Sequence, residues 1–179
     1  MTHSQPFLLR KMSAGLDKFG RPLPPKAGDY YIPSVTTDAV VIRPRADGWH
    51  DVLMITRGHP PYQGRIAFPG GFVDYNEDPK EGCLRELKEE CGIDGANPKL
   101  VTVAGSPLRD PRKHIISIVY RVDVAETAEV RAGDDAATAR FYPLQELLHM
   151  PEEAIAFDHK EILKEVVHSL GEDGLPYEV

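Results

Sequence analysis

One short segment, from Asp78 to Gly92, constrains the fold more than any other part of the chain. Asp78 is a residue type that caps helix N-termini, Pro79 is tolerated in the first turn, and Glu81 completes an Asp-x-x-Glu capping box. Gly92 stands where a helix C-terminus favours a residue in the left-handed conformation. These signals predict a helix that begins at Pro79 and ends at Cys91.

The predicted helix has an apolar face and an acidic face. The apolar residues recur at helical spacing and are Leu84, Leu87 and Cys91. The acidic residues are three and four positions apart and are Glu86, Glu89 and Glu90. Like charges at this spacing repel each other, and a divalent cation such as Mg²⁺ or Mn²⁺ would remove the repulsion. The alternative is a solvated acidic face on which Arg85 pairs with Glu89.

The rest of the chain has the pattern of a mixed α/β domain. Short β-rich runs predict strands at residues 35–42, 51–56, 100–104, 115–124 and 137–142. A second helix is predicted to begin near Asp158, with an apolar stripe formed by Ile162, Val166 and Leu170. Residues 1–29 include a run rich in proline and glycine, so we expect an N-terminal extension there and a folded domain over residues 30–179.

Charge and composition limit the partners. The 21 Lys and Arg residues are outnumbered by 28 Asp and Glu residues, and the net charge is −7. This balance argues against a nucleic-acid partner, since phosphate backbones are held mainly by Lys and Arg. No apolar run approaches the ~18 residues of a membrane span, and Cys83 and Cys91 match no zinc or disulfide pattern. We therefore expect a cytoplasmic protein without a membrane partner.

The helical segment also belongs to a longer pattern. It reads Gly71-x₅-Glu77-x₇-Arg85-Glu86-Leu87-x-Glu89-Glu90-x-Gly92-Ile93. Every fixed position agrees with the Nudix box, GX₅EX₇REUXEEXGU, in which U is an aliphatic residue. With average residue usage, a chance match has a probability of about 10⁻⁹ per starting position. The chain therefore resembles the Nudix hydrolase family, over residues 33 to about 170.

This resemblance implies an α/β (α+β) fold, an α/β/α sandwich with a mixed central sheet, and hydrolysis of a nucleoside diphosphate linked to another group. By position, the implied metal ligands are the carboxylates of Glu86, Glu89 and Glu90 and the backbone carbonyl of Gly70. The implied cofactor is Mg²⁺, with Mn²⁺ as the alternative. The implied catalytic residues are the three glutamates together with Glu77 and Arg85.

The remaining roles in the resemblance concern the surroundings of the metal. Glu77 and Arg85 would orient the metal ligands, because such carboxylates need outer partners to keep their geometry. Gly71 would allow the backbone to approach the ion and the phosphates closely. The general base stays open between a box glutamate and an aspartate of the later loop, either Asp134 or Asp135.

Sequences that flank the box suggest contacts to the substrate. Arg109, Asp110 and Arg112 form a compact basic loop before a predicted strand, although Asp110 could instead pair with either arginine. The candidate substrate-binding residues are Arg57, Phe68, Gly71, Arg109, Arg112 and Asp135. Arginines would hold phosphates and an aromatic ring would stack on a base.

Residues 105–122, 133–144 and 156–163 resemble one branch of ADP-ribose pyrophosphatases within the family. That resemblance implies hydrolysis of ADP-ribose to AMP and ribose 5-phosphate. The alternatives are a nucleoside triphosphate or other nucleotide-sugar pyrophosphatase, and a non-catalytic nucleotide-sensing domain. Sensors of this kind usually have a broken box or an added DNA-binding domain, and we expect neither here. The implied partners are a small nucleotide and, as in many relatives, a second copy in a homodimer.

Overall fold

The computed structural model describes residues 15–17, 19–21, 23, 30–133 and 136–172, without the side chains of residues 169–172. The elements in chain order are β1 (Ser34–Val40), β2 (Ile42–Pro44), β3 (His50–Arg57), β4 (Ile66–Ala67), β5 (Gly70–Phe72), α1 (Pro79–Cys91), β6 (Gly95–Ala104), β7 (Ile115–Val124), β8 (Ala136–Pro143), α2 (Leu144–His149), a 3₁₀ turn (Glu152–Ala154) and α3 (His159–Glu172).

Among the described residues the strands form two four-stranded sheets. One has the order β5-β1-β7-β6, in which β1 and β7 are parallel and the other pairs are antiparallel. In the other, β3 pairs antiparallel with β2, β4 and β8. The predicted mixed α/β class is confirmed. The predicted mixed sheet is the one with the order β5-β1-β7-β6, and the other described strands form the antiparallel sheet.

Helices cover both faces of the strands, as the sandwich prediction requires. Neighbouring residues of β1 point to opposite faces, so Ala39 belongs to the core cluster that contains Leu87 of α1, whereas Val40 belongs to the cluster that contains Leu163 of α3. Leu53 of β3 belongs to the α1 cluster in the same way. The site described below lies where these elements meet.

The sequence predicted α1 with its bounds and its caps. The Asp78 side chain accepts a hydrogen bond from the Lys80 N–H at 2.8 Å, and Gly92 has a left-handed φ of 71°. The predicted apolar face is also present, since Leu87 and Cys91 are fully buried and the partly buried Leu84 packs against the same core cluster. Cys83, which the prediction did not include, is fully buried as well.

The shortest elements were missed. Strands β4 and β5 have two and three residues, and α2 has six, so none contains enough of a repeat to be recognised. Helix α3 was predicted, and Ile162 and Val166 are buried as expected, whereas the side chain of Leu170 lies outside the described residues. Among the described helices, none is long and apolar enough to cross a membrane.

Candidate active site

A pocket of about 360 Å³ opens where β1, β3, β5, α1 and the start of α3 come together. One part of its wall is acidic and contains Asp38, Glu86 and Glu90. Another part is basic and contains Arg57, Arg109 and Arg112. Predicted metal ligands and predicted phosphate contacts from distant parts of the sequence therefore share one cavity.

Two adjacent glycines bring a backbone strand against the carboxylates. Strand β5 pairs with β1, with Gly71 opposite Thr37 and Gly70 opposite Asp38. A Cβ atom on Gly71 would overlap the carboxylate of Glu86, and one on Gly70 would overlap the carbonyl oxygen of Thr37. The absence of side chains here is thus a steric requirement of the close packing.

Arg85 organises the acidic side of the pocket. Its Nε and Nη2 donate to the two carboxylate oxygens of Glu77 at 2.8 and 3.0 Å, and Nη2 also donates to the carbonyl of Phe72 at 3.0 Å. Its Nη1 donates to Glu86 at 2.8 Å and to Glu89 at 3.0 Å, so the Arg85–Glu89 pair foreseen as an alternative is present. Hydrogen bonds from Arg85 lower the pKa of Glu77 to about 2.

Glu90 is placed differently from the other two box glutamates. Glu90 is only 8% exposed, whereas the side chain of Glu89 is 58% exposed. The Glu90 carboxylate accepts a hydrogen bond from the Gly70 N–H at 2.8 Å. Burial is the main reason that the pKa of Glu90 is raised to about 8. Within the described residues no salt bridge of Glu90 is found, and the charge of Arg57 lowers the pKa of Glu90 by less than burial raises it.

The donor set fits a divalent cation in its chemistry. Carboxylate oxygens suit Mg²⁺ and Mn²⁺, and a buried carboxylate without a salt bridge is a place where a cation is favourable. In the part of the chain that the structure describes, no three acidic, histidine or cysteine side chains already form a metal cage. Arg85 holds each of the neighbouring carboxylates through a single oxygen, Oε1 of Glu86 and Oε2 of Glu89, so it orients them without occupying both oxygens.

The three arginines of the basic wall are fixed to different degrees. Arg57 is half-buried and donates to the carbonyls of Pro61 at 2.7 Å and His59 at 3.4 Å. Burial lowers the pKa of Arg57, and the nearby charge of Arg112 lowers it further. Arg57 and Arg112 face one pocket, which would favour an anionic ligand, but Asp110 lines the same pocket and pairs with Arg112. Phosphate binding by these arginines stays a prediction.

The basic loop is held by two ion pairs. Arg112 donates to Asp110 through Nε and Nη2 at 3.1 and 2.8 Å, which is the structural pairing that the sequence left open. Arg109 donates to Asp158 through Nε and Nη2 at 2.9 and 2.6 Å, and its side chain is only 4% exposed. The buried side chain of Arg109 is thus paired with a partly exposed carboxylate, and direct substrate binding by Arg109 stays a prediction.

Two other predicted substrate residues have different outcomes. Phe68 belongs to the pocket wall but is 1% exposed and lies in the core cluster, so its ring has no free face for a ligand and a stacking role is not supported. Asp135, like Asp134, lies outside the described residues. The exposed aromatic ring of the pocket is Phe72, which is 40% exposed.

Comparison with known proteins agrees with this geometry. Residues 33–166 match the model of the NUDIX domain. The chain belongs to the Nudix hydrolase family. Proteins of this family generally use divalent metal ions, in accordance with the donor set of the pocket. The Nudix box is thus the loop and helix formed by β5, the following turn and α1.

Individual relatives extend the match. An ADP-ribose pyrophosphatase of Methanocaldococcus jannaschii is 40% identical over 76% of this chain and 74% of its own length. An ADPR-responsive transcriptional repressor, NtrR, of Acinetobacter baylyi is 29% identical, and the match spans 54% of that protein. A crystal structure of a MutT/nudix family protein from Enterococcus faecalis has a TM-score of 0.73 and 27% identity, covering 83% of this chain and 66% of that chain, just under two thirds.

Sequence reasoning missed two buried residues of this Nudix pocket, Asp38 and His159. Asp38 had a detectable signal, since a charged residue within the apolar run of β1 is unusual unless it has a partner. For His159 there was no such signal, because its partners, Asp38 and Phe68, are distant in sequence. Only the packing of α3 against β1 and β4 brings them together.

Proposed function

We propose that this chain hydrolyses the pyrophosphate bond of ADP-ribose to AMP and ribose 5-phosphate with Mg²⁺ as cofactor, Mn²⁺ being the alternative. The observation that carries the proposal is the shared pocket, in which the box carboxylates face a wall with Arg57 and Arg112. The 40% identity to an ADP-ribose pyrophosphatase over most of both chains supports the choice of substrate. A cytoplasmic location and a homodimer stay predictions.

In this proposal Glu86, Glu89, Glu90 and the carbonyl of Gly70 hold the cation. When bound, a divalent cation neutralises charge that develops on phosphate oxygens and lowers the pKa of an attacking water. Arg85, itself anchored on Glu77, orients Glu86 and Glu89 and limits their freedom before the ion arrives. The base that accepts the proton is a box glutamate or an aspartate of the loop at residues 134–135.

The rest of the pocket would hold the nucleotide. Arg57 and Arg112 bind the phosphates, and Arg109 fixes the basic loop to the start of α3 through Asp158. Phe72 lies directly after Gly71, and the side-chain cations of Arg112 and Lys113 lie 5.5 and 5.0 Å from its ring centre. This exposed ring offers adenine a stacking surface close to the box.

A substrate panel tests the proposal. With Mg²⁺, we expect AMP to be released from ADP-ribose faster than from NADH, dATP or diadenosine polyphosphates, as measured by chromatography of the products. Activity should vanish on chelation of the metal and return with Mg²⁺ or Mn²⁺. Comparable turnover of dATP, or none of ADP-ribose, would reject this substrate and favour another nucleotide pyrophosphatase.

A second candidate function is suggested by the 29% identical repressor, which is named as ADPR-responsive. In that case the domain would bind ADP-ribose as a signal without cleaving it. The intact box favours hydrolysis, since a sensor has no need of the complete ligand set. Titration of ADP-ribose by calorimetry, alongside the panel, separates the two functions because a sensor would show binding without release of AMP.

The stacking role of Phe72 gives a separate prediction. Phe72→Ala should raise KM for ADP-ribose roughly tenfold, because stacking on one base contributes about 1–3 kcal/mol. The effect on kcat should be smaller, since the Arg85 bond to position 72 uses the backbone carbonyl, which the variant keeps. Phe72→Trp is the matched control and should retain a low KM. An unchanged KM in the alanine variant would place adenine elsewhere.

A further inference from the structure

We propose that His159 is a positioning residue for the Nudix box, because it holds the backbone of residues 68–70 so that Gly70 stays against Glu90. The inference rests on the proposed function, since it concerns the same site. His159 is the first residue of α3 and lies outside the box in sequence. It nevertheless reaches the pocket wall, as do Asp38 and Glu90.

The segment from Phe68 to Gly70 is tied to three different elements. The Phe68 N–H donates to Nδ1 of His159 at 3.0 Å, which links the segment to α3. The carbonyl of Pro69 accepts the Ala39 N–H at 2.8 Å, which links it to β1. The Gly70 N–H donates to Glu90 at 2.8 Å, which links it to α1. His159 is thus one of three fixed points of the backbone that meets the box helix.

The ring of His159 is itself fixed. It is 2% exposed, and its centre lies 5.2 Å from that of Phe68 and 5.3 Å from that of Phe157. Its Nε2 lies 3.7 Å from a carboxylate oxygen of Asp38, whose other oxygen accepts the Ser117 hydroxyl. A neutral imidazole that accepts at Nδ1 carries its proton at Nε2, which is the nitrogen that faces Asp38.

These contacts define what His159 contributes. Without an acceptor at Nδ1, the Phe68 N–H would be a buried donor without a partner, and the segment would move to satisfy it. Movement of Gly70 would shift both its carbonyl and the N–H that holds Glu90. If His159 only filled the core, the position of the box backbone would not depend on which of its two ring nitrogens has a hydrogen-bond partner.

Two isosteric variants separate the nitrogens. In His159→Asn, the amide oxygen can occupy the place of Nδ1 and accept the Phe68 N–H, while the contact with Asp38 is lost. In His159→Gln, the amide nitrogen can occupy the place of Nε2 and face Asp38, while the acceptor for Phe68 is lost. Both variants are neutral and polar, so they differ mainly in the contact that each preserves.

The measurements are kcat and KM for ADP-ribose, Mn²⁺ binding without substrate by electron paramagnetic resonance, and hydrogen–deuterium exchange of residues 66–72 in the metal-free protein. For His159→Gln we expect kcat and Mn²⁺ affinity to fall by about 10- to 100-fold, the usual range when an outer partner of a metal site is lost. Its KM should change little and its exchange should be faster. His159→Asn should stay close to the parent in all three.

The proposal would be overturned if kcat and Mn²⁺ affinity fell equally in the two variants, or if hydrogen–deuterium exchange were unchanged in His159→Gln. His159 would then be a core residue only. If a variant fails to fold, nitrogen NMR of the histidine rings in the parent protein decides, since a protonated Nδ1 on His159 excludes the bond from Phe68. Mn²⁺ binding, exchange and the tautomer do not involve the substrate. These three measurements can therefore support the positioning role of His159 even if ADP-ribose proves not to be hydrolysed.

Discussion

Replacing Glu90 by glutamine is expected to lower kcat at least ~10²-fold, the scale observed when one electrostatic stabiliser of a transition state is removed. Glu90 is the buried carboxylate of the box and lies beside Gly70, the other proposed ligand. The glutamine amide oxygen can still accept the Gly70 N–H, so the local structure should persist. What the variant lacks is the negative charge that the proposed cation requires.

The measurement is steady-state hydrolysis of ADP-ribose, with thermal unfolding of the metal-free protein as the test of folding. Glu81→Gln is the matched control, since Glu81 is exposed in the first turn of α1 and belongs to no proposed ligand set. It should retain the activity of the parent. A near-normal rate for Glu90→Gln would remove Glu90 from the proposed metal site.

The second large effect is expected from Gly71→Ala. The new Cβ would overlap the Glu86 carboxylate, which is the mobile end of a side chain and can be pushed aside. The fold should therefore survive while Glu86 is displaced from its position beside Arg85. Displacement of a catalytic group by about 1 Å can cost 10²-fold, so we expect a loss of that order in kcat.

Two other glycines serve as comparisons. In Gly70→Ala the added Cβ would meet the Thr37 carbonyl, which is backbone and cannot yield, so this variant should lose stability as well as activity. In Gly105→Ala the Cβ would enter open space, and both properties should be retained. Urea unfolding and ADP-ribose hydrolysis measure the two effects. Full activity of Gly71→Ala would mean that the position of Glu86 is unimportant for the reaction.

Local interactions explain why α1 could be predicted so well. Its caps are Asp78 and Gly92, and both act on the backbone within one helical turn. The pairing of Arg85 with Glu89 is likewise an i, i+4 contact that helical geometry makes available. Strand β7 was predicted with its bounds because its ten residues show a β-rich composition, whereas β6 begins at Gly95, before the predicted start at residue 100.

Long-range contacts account for what was not predicted. Helical periodicity predicted that Glu90 lies on one acidic face with Glu89. In the structure Glu90 is buried instead, because β5 packs against α1 at this position. The role expected of Phe68 depended on a free ring face, which the core removed. The ion pair of Arg109 was not predicted either, because its partner, Asp158, is 49 residues away in the sequence.

By itself, therefore, the sequence determined the box and its helix, since these depend on residue types at fixed local spacing. Through the resemblance of the box to the Nudix family, it also indicated the class of reaction. The tertiary structure decided the environment of each group: which carboxylate is buried, which arginine is already paired and which backbone His159 holds. Burial and pairing arise between elements distant in the chain, and these set the charge and mobility of every side chain in the pocket.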